Sequence, residues 1–151
     1  MKKLNIVLAA FLGFAAFSAQ ADVAGAEKMA AKYSVIAKNI DPTFAGANAD
    51  AGKEFYNRTI KQFKGGAEGK PVACASCHTA NPSDIGKHII TGKSIKPLSP
   101  NTNPKRFSNL DKVEAQFTKH CNEVTGSDCA ASDKANYIAY LLTEKTPSAK
   151  K

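Results

Sequence analysis

The chain has 151 residues, of which 21 are basic and 13 acidic, giving a formal charge of +8. That length is one domain's worth and leaves no room for a second sizeable core. The basic balance admits acidic proteins, anionic surfaces and nucleic acid as partners, and the N-terminus then argues against the last of these.

Lys2 and Lys3 precede an apolar run from Leu4 to Phe17 broken by Asn5 and Gly13, and Ala19-Gln20-Ala21 offers a small-x-small cleavage site. This is the layout of a secretory signal peptide over residues 1–21, cleaved after Ala21. The run is short for a bilayer span, which disfavours the alternative of an uncleaved anchor. The mature chain, residues 22–151, should be one exported domain, and a bacterial periplasm is its expected compartment. Loss of Lys2 and Lys3 lowers the formal charge from +8 to +6.

Ala26, Met29, Ala30, Tyr33, Ile36, Ala37 and Ile40 recur at steps of three and four, which predicts an amphipathic helix ended by Asp41-Pro42. A second helix should run from an Asn48 N-cap to about Phe63, with Ala51, Phe55 and Tyr56 inward and Gly52 allowing close approach of a helix or cofactor edge. Gly65-Gly66 and Gly69-Lys70-Pro71 break the chain.

Next comes Cys74-Ala75-Ser76-Cys77-His78, the C-x-x-C-H form of a c-type haem attachment site. One helical turn puts both thiols in reach of the porphyrin edge, for two thioethers, and sets His78 to be the proximal ligand of the iron. The competing readings are weaker. A redox C-x-x-C belongs in a βαβ unit, and a zinc ribbon needs a second close cysteine pair, whereas Cys121 and Cys129 lie eight positions apart.

From Asn81 to Phe107 six prolines and glycines exclude long helices or strands. Ile85, Ile89, Ile90, Ile95, Leu98 and Phe107 are too apolar for disorder, so this stretch should wrap the cofactor. Ser108 and Asp111 form a capping signal for a helix to about Val124, with Leu110, Val113, Phe117, His120, Cys121 and Val124 facing inward. Ser132 and Asp133 start a last helix whose inner stripe is Ala135, Ile138, Ala139 and Leu142. All the periodicity is helical, so the fold class is all-α.

Cys121 and Cys129 remain once haem takes the first pair, and in an oxidising compartment an even pair reads as a disulfide. Closing so short a loop contributes roughly 2.5 kcal/mol on the chain-entropy model. The only methionines, Met1 and Met29, precede the haem motif, so no downstream methionine can serve as the iron's sixth ligand. His88, His120, a weaker ligand such as Asn or Lys, or no ligand at all remain. His88, beside Lys87 in the irregular stretch, reads as a solvent-facing loop histidine, and His120 as the better ligand.

A wider pattern accompanies these residues: Thr91-Gly92-Lys93, Pro97-Leu98, Pro100, Asn103, Lys105-Arg106-Phe107, Asp111-Lys112-Val113-Glu114, Phe117-Thr118-Lys119-His120-Cys121-Asn122, Cys129 and Lys134-Ala135-Asn136 with Ile138-Ala139-Tyr140-Leu141-Leu142. With it the mature chain resembles the cytochrome c″ family, bis-histidine relatives of class I cytochromes c, and is similar to the high-spin sphaeroides haem protein. The resemblance implies a class I cytochrome c-like helical domain around one covalently bound haem c, with an additional N-terminal helix. It implies His120 as a distal ligand that detaches on reduction, and the Cys121–Cys129 disulfide. It implies electron transfer coupled to proton uptake, or, as an alternative, binding of NO, CO or O2 at the vacated site, rather than enzymatic catalysis. The expected partners are periplasmic redox proteins, such as a dihaem cytochrome or a membrane cytochrome b, with no nucleic acid and a monomeric state. Arg58 and Arg106 are candidate propionate contacts and Lys105 a candidate docking contact.

Overall fold

The structure, a computed structural model, describes residues 17–60 and 71–149. Its elements are α1 (Phe17–Ile40), α2 (Ala49–Asn57), α3 (Cys74–His78), β1 (Gly86–Lys87), β2 (Ser94–Ile95), α4 (Leu110–Thr125) and α5 (Ala131–Thr143). The expected signal peptide lies outside the described residues as far as residue 16, and α1 begins at Phe17, ahead of the expected mature start. Among the described residues no helix is long and apolar enough to cross a membrane. The fold is all-α apart from the antiparallel β1–β2 pair, which matches Gly86 with Ile95 and Lys87 with Ser94.

In α1 the predicted stripe is buried at Ala26, Met29, Ala30, Tyr33 and Ala37. The predicted Ile36 and Ile40 are not part of it: Ile36 is 37% and Ile40 75% exposed. At the other end Asp22 is buried, its Oδ2 accepting from the Phe107 amide at 2.9 Å while its Oδ1 meets no donor.

Asn48 caps α2 as expected, its Oδ1 accepting from the Ala51 amide at 2.9 Å. The helix ends at Asn57 rather than near Phe63, and the chain turns extended so that Ile60 can bridge to Val72. The predicted break at Gly65 to Lys70 lies outside the described residues.

α5 is the common partner of α1 and α2. Its buried residues are Lys134, Ala135, Ile138, Tyr140 and Leu141, so the inner face is wider than the expected stripe, on which Ala139 and Leu142 are only half-buried. Where α2 crosses α5, a Cβ on Gly52 would lie 2.0 Å from the Asn136 carbonyl oxygen and 2.9 Å from Tyr140 Cβ. The two backbones meet here, and only glycine fits.

α4 is capped by Asn109, whose Oδ1 accepts from the Lys112 amide at 2.9 Å; Ser108 instead donates to the Lys105 carbonyl. Gly126, at φ +84°, supplies the left-handed residue that ends it. No other helix packs closely along α4 among the described residues. Leu110, Val113 and Phe117 reach the core from it, and Cys121 is its buried residue.

Candidate functional site

The five residues of α3 form one turn. Ser76 closes its start, its Oγ accepting from the Ala73 amide at 3.0 Å. The chain leaves that turn at Thr79 with φ +65°, an uncommon conformation for a β-branched residue. Tyr56, wholly buried, steadies it by aiming its hydroxyl at the carbonyls of Thr79 (2.7 Å) and His78 (3.0 Å). From the other side β1 presses against α3: a Cβ on Gly86 would lie 2.3 Å from the Cys77 carbonyl oxygen and 3.0 Å from His78 Cα. The short hairpin, not foreseen within the irregular stretch, is the backing plate of the C-x-x-C-H turn.

Cys74 and Cys77 are free thiols, while Cys121 and Cys129 are joined with Cα atoms 5.4 Å apart. Burial pushes the Cys74 thiol up to about 11. No group of three or more His, Cys, Asp or Glu side chains able to hold a metal ion comes together among the described residues. A structural zinc, which takes four such ligands, therefore has no cage there. Burial, then the positive fields of Arg106 and His120, lower His78 to about 4. Its imidazole is neutral at physiological pH, as an iron ligand must be. Two thiols left unpaired beside a neutral, half-buried imidazole fit covalent haem c: Cys74 and Cys77 would hold the macrocycle and His78 the iron.

Aromatic rings wall this region. Tyr137 of α5 lies between Phe55 (ring centroids 6.2 Å apart), Tyr56 (6.1 Å) and Phe117 of α4 (5.5 Å). Burial, followed by the neighbouring Cys74 and Tyr56, holds the Tyr137 phenol well above its ordinary range. Sequence reasoning missed Tyr137 because it lies off the predicted stripe of α5, between Asn136 and Ile138. The signal that could have found it is its place one residue before Ile138, which widens the apolar arc of the helix.

His120, expected on the inner face of α4, has a side chain 55% exposed. The inward row runs through half-buried Val113 and Phe117 to buried Cys121 at steps of four, and His120 lies beside it rather than on it. Its Nδ1 is 3.2 Å from Glu123 Oε2. Arg106 is held by backbone carbonyls: Nε and Nη2 donate to Pro97 (3.1 and 2.9 Å) and Nη2 to Lys96 (2.8 Å). α3 and α4 are linked by one aromatic chain: Tyr56, bonded to the His78 and Thr79 carbonyls, packs on Tyr137, and Tyr137 on Phe117, one turn before His120. Arg58 is 55% exposed, 3.9 Å from Asp133 and 5.0 Å from the Phe55 ring centroid. Lys105 is exposed. His88 is half-buried rather than solvent-facing, its Nδ1 accepting from the amides of Ile90 (3.3 Å) and Thr91 (3.2 Å). Leu98 and Phe107 of the irregular stretch are buried, while Ile85, just before β1, and Ile89 and Ile90, between the two strands, are exposed (68%, 46% and 54%).

Residues 42–141 match a family model described as a domain of unknown function, DUF1924. The chain is 49% identical over 146 residues to cytochrome c″ of Methylophilus methylotrophus, covering 97% of this chain and 99% of that one. The solution structure of that cytochrome, which addresses the structural basis of haem-ligand detachment, matches with a TM-score of 0.75 at 51% identity, over 84% of this chain and 99% of that chain. The structure of oxidised SHP, an oxygen-binding cytochrome c, matches with a TM-score of 0.66 at 30% identity, over 78% and 96% of the two chains. The SHP protein of Cereibacter sphaeroides is 37% identical over 102 residues, 66% of this chain and 75% of that one.

Proposed function

Because this chain belongs to the cytochrome c″ family, whose members carry covalent haem c, we propose that it is a periplasmic electron carrier in which His120 is bound to ferric iron and leaves it on reduction. The observation that carries this reading is the joining of two histidine-bearing elements through one aromatic chain: Tyr56, which bonds the His78 carbonyl on the buttressed turn of α3, packs on Tyr137, and Tyr137 packs on Phe117, one turn before His120 on α4. The haem supplies the one-electron couple. Ferric iron, with its greater charge, holds a neutral imidazole more strongly than ferrous iron does. Once released, His120 can take a proton at Nε2 while Nδ1 faces Glu123. Electron and proton uptake are then linked. The chain acts as a carrier, not an enzyme, and its net positive surface, including Lys105, suits an acidic redox partner. Arg58 and Arg106 are both proposed propionate contacts; Arg106 is the more firmly placed of the two, held by the Pro97 and Lys96 carbonyls, while Arg58 lies 3.9 Å from Asp133.

Optical spectra and potentiometry test this. The ferric protein should be low-spin, turn high-spin with dithionite, and then bind carbon monoxide quickly. Its reduction potential should fall as pH rises across the histidine range, about pH 5 to 8. The slope should not exceed about 59 mV per unit for one proton per electron. A spectrum that stays low-spin in both states, with a flat potential, would mean a fixed sixth ligand. The likeness to an oxygen-binding cytochrome c supports a second reading, in which the vacated position takes a diatomic ligand such as NO or O2.

Export with cleavage after Ala21 is part of the same proposal. It would leave an α-ammonium on Asp22, the residue whose buried Oδ1 meets no donor. N-terminal sequencing of the secreted protein should therefore begin Asp-Val-Ala; a chain starting earlier counts against this cleavage.

A further inference from the structure

His120 rides on a helix that no other helix packs closely along, so its reach depends on a few side chains. Glu114 accepts from Lys32 at 2.6 Å and from the Tyr33 hydroxyl, tying the start of α4 to α1. One turn before His120, the Phe117 ring stands edge-on to Tyr33, centroids 5.8 Å apart. One residue after it, Cys121 is bonded to Cys129.

Lys134 of α5 lies where these ties meet. It is 4% exposed, and its ammonium donates to Asp128 Oδ2 at 2.8 Å. Asp128 belongs to the disulfide loop, and its other oxygen accepts from the Cys129 amide at 2.9 Å. The same ammonium sits 5.2 Å from the Tyr33 ring centroid and 5.9 Å from that of Phe117, within cation–π range. A buried ammonium is costly unless paired, and an apolar side chain of similar length would fill the space at no such cost. The charge therefore marks a task other than filling.

We propose that Lys134 is a positioning residue for the distal ligand: through Asp128 and Phe117 it fixes α4 at the distance from which His120 meets the iron. The inference rests on the reading of His120 as the ferric-state ligand. In the haem-loaded protein, Lys134→Met keeps the volume and removes the tie. Ferric ligation by His120 should weaken about tenfold, which appears as a high-spin ferric fraction and a rise of about 59 mV in reduction potential. Asp128→Asn, at a side chain 47% exposed, should move both readouts the same way by less. Lys53→Met, a control at an exposed lysine of α2 outside these ties, should leave both near wild type. If Lys134→Met does not fold, Asp128→Asn decides alone. Unmoved ferric spectra and potentials in a bis-imidazole background overturn the inference, even if thermal stability falls. A wild-type ferric protein without a bis-imidazole spectrum overturns the functional reading and this inference with it.

Discussion

His120→Ala should leave the ferric haem high-spin in the resting protein and raise the reduction potential. The sign follows from linkage: a ligand that binds one redox state stabilises that state, so losing a ferric-only ligand favours reduction. Each factor of ten in the ferric ligation constant is worth about 59 mV, so a hundredfold constant predicts a rise of roughly 120 mV. The pH dependence should collapse in the same variant, because the imidazole that accepts the proton is gone. Stability of the reduced protein, in which the imidazole is off the iron, should change little, since the contact of the side chain is with Glu123 on the same helix, whereas the ferric protein should lose the stabilisation that ligation gives it. Potentiometry across about pH 5 to 9 checks both parts; a retained slope would assign the proton to another group.

Gly52→Ala should cause a large loss of stability, since its new Cβ makes the shortest contact of any described glycine position. The new Cβ would meet the Asn136 carbonyl oxygen at 2.0 Å and its carbon at 2.5 Å, and both belong to helix backbone that cannot rotate away. α2 and α5 must separate to accept it. Overpacking usually costs about 1–3 kcal/mol, and a backbone-to-backbone clash belongs at or above the top of that range. A loss of about 3 kcal/mol lowers Tm by roughly 10 °C in a domain of this size. Thermal melts followed by circular dichroism measure it, and an unchanged Tm would mean that the helices do not cross this closely.

The haem motif, the helical periodicity and the caps with side-chain signals were legible because each is local. Asn48 and Pro42 act within four residues of themselves, and Ala26 to Ala37 repeat at the helical step. What escaped depends on partners far along the chain. Ile36 and Ile40 continue the stripe of α1 yet are exposed, because periodicity marks a face but not how much of it is covered. Lys134 carries no sequence signal of burial; Asp128, Tyr33 and Phe117, which surround it, come from three other parts of the chain. Ser108 and Asn109 are adjacent capping residues, and the backbone chose the second. Gly86 carries no sequence signal for its contact with Cys77, which depends on a two-residue hairpin. At His120 the angle alone misled: it is three residues from Phe117, but the inward row steps by four.

The position of α5 bears on the order of events during biosynthesis. It is the last helix to emerge, and both α1 and α2 pack against it. Until Ala131 to Thr143 have been delivered, neither earlier helix has its main apolar partner, and isolated helices of such length are marginal in water. Core closure must then bring together segments separated by most of the chain, a slow step for reasons of loop entropy. Tyr56, which steadies the turn of Cys74, Cys77 and His78, has Tyr137 and Tyr140 of α5 as its ring neighbours, so a chain cut before Ala131 should leave the two thiols open to alkylation.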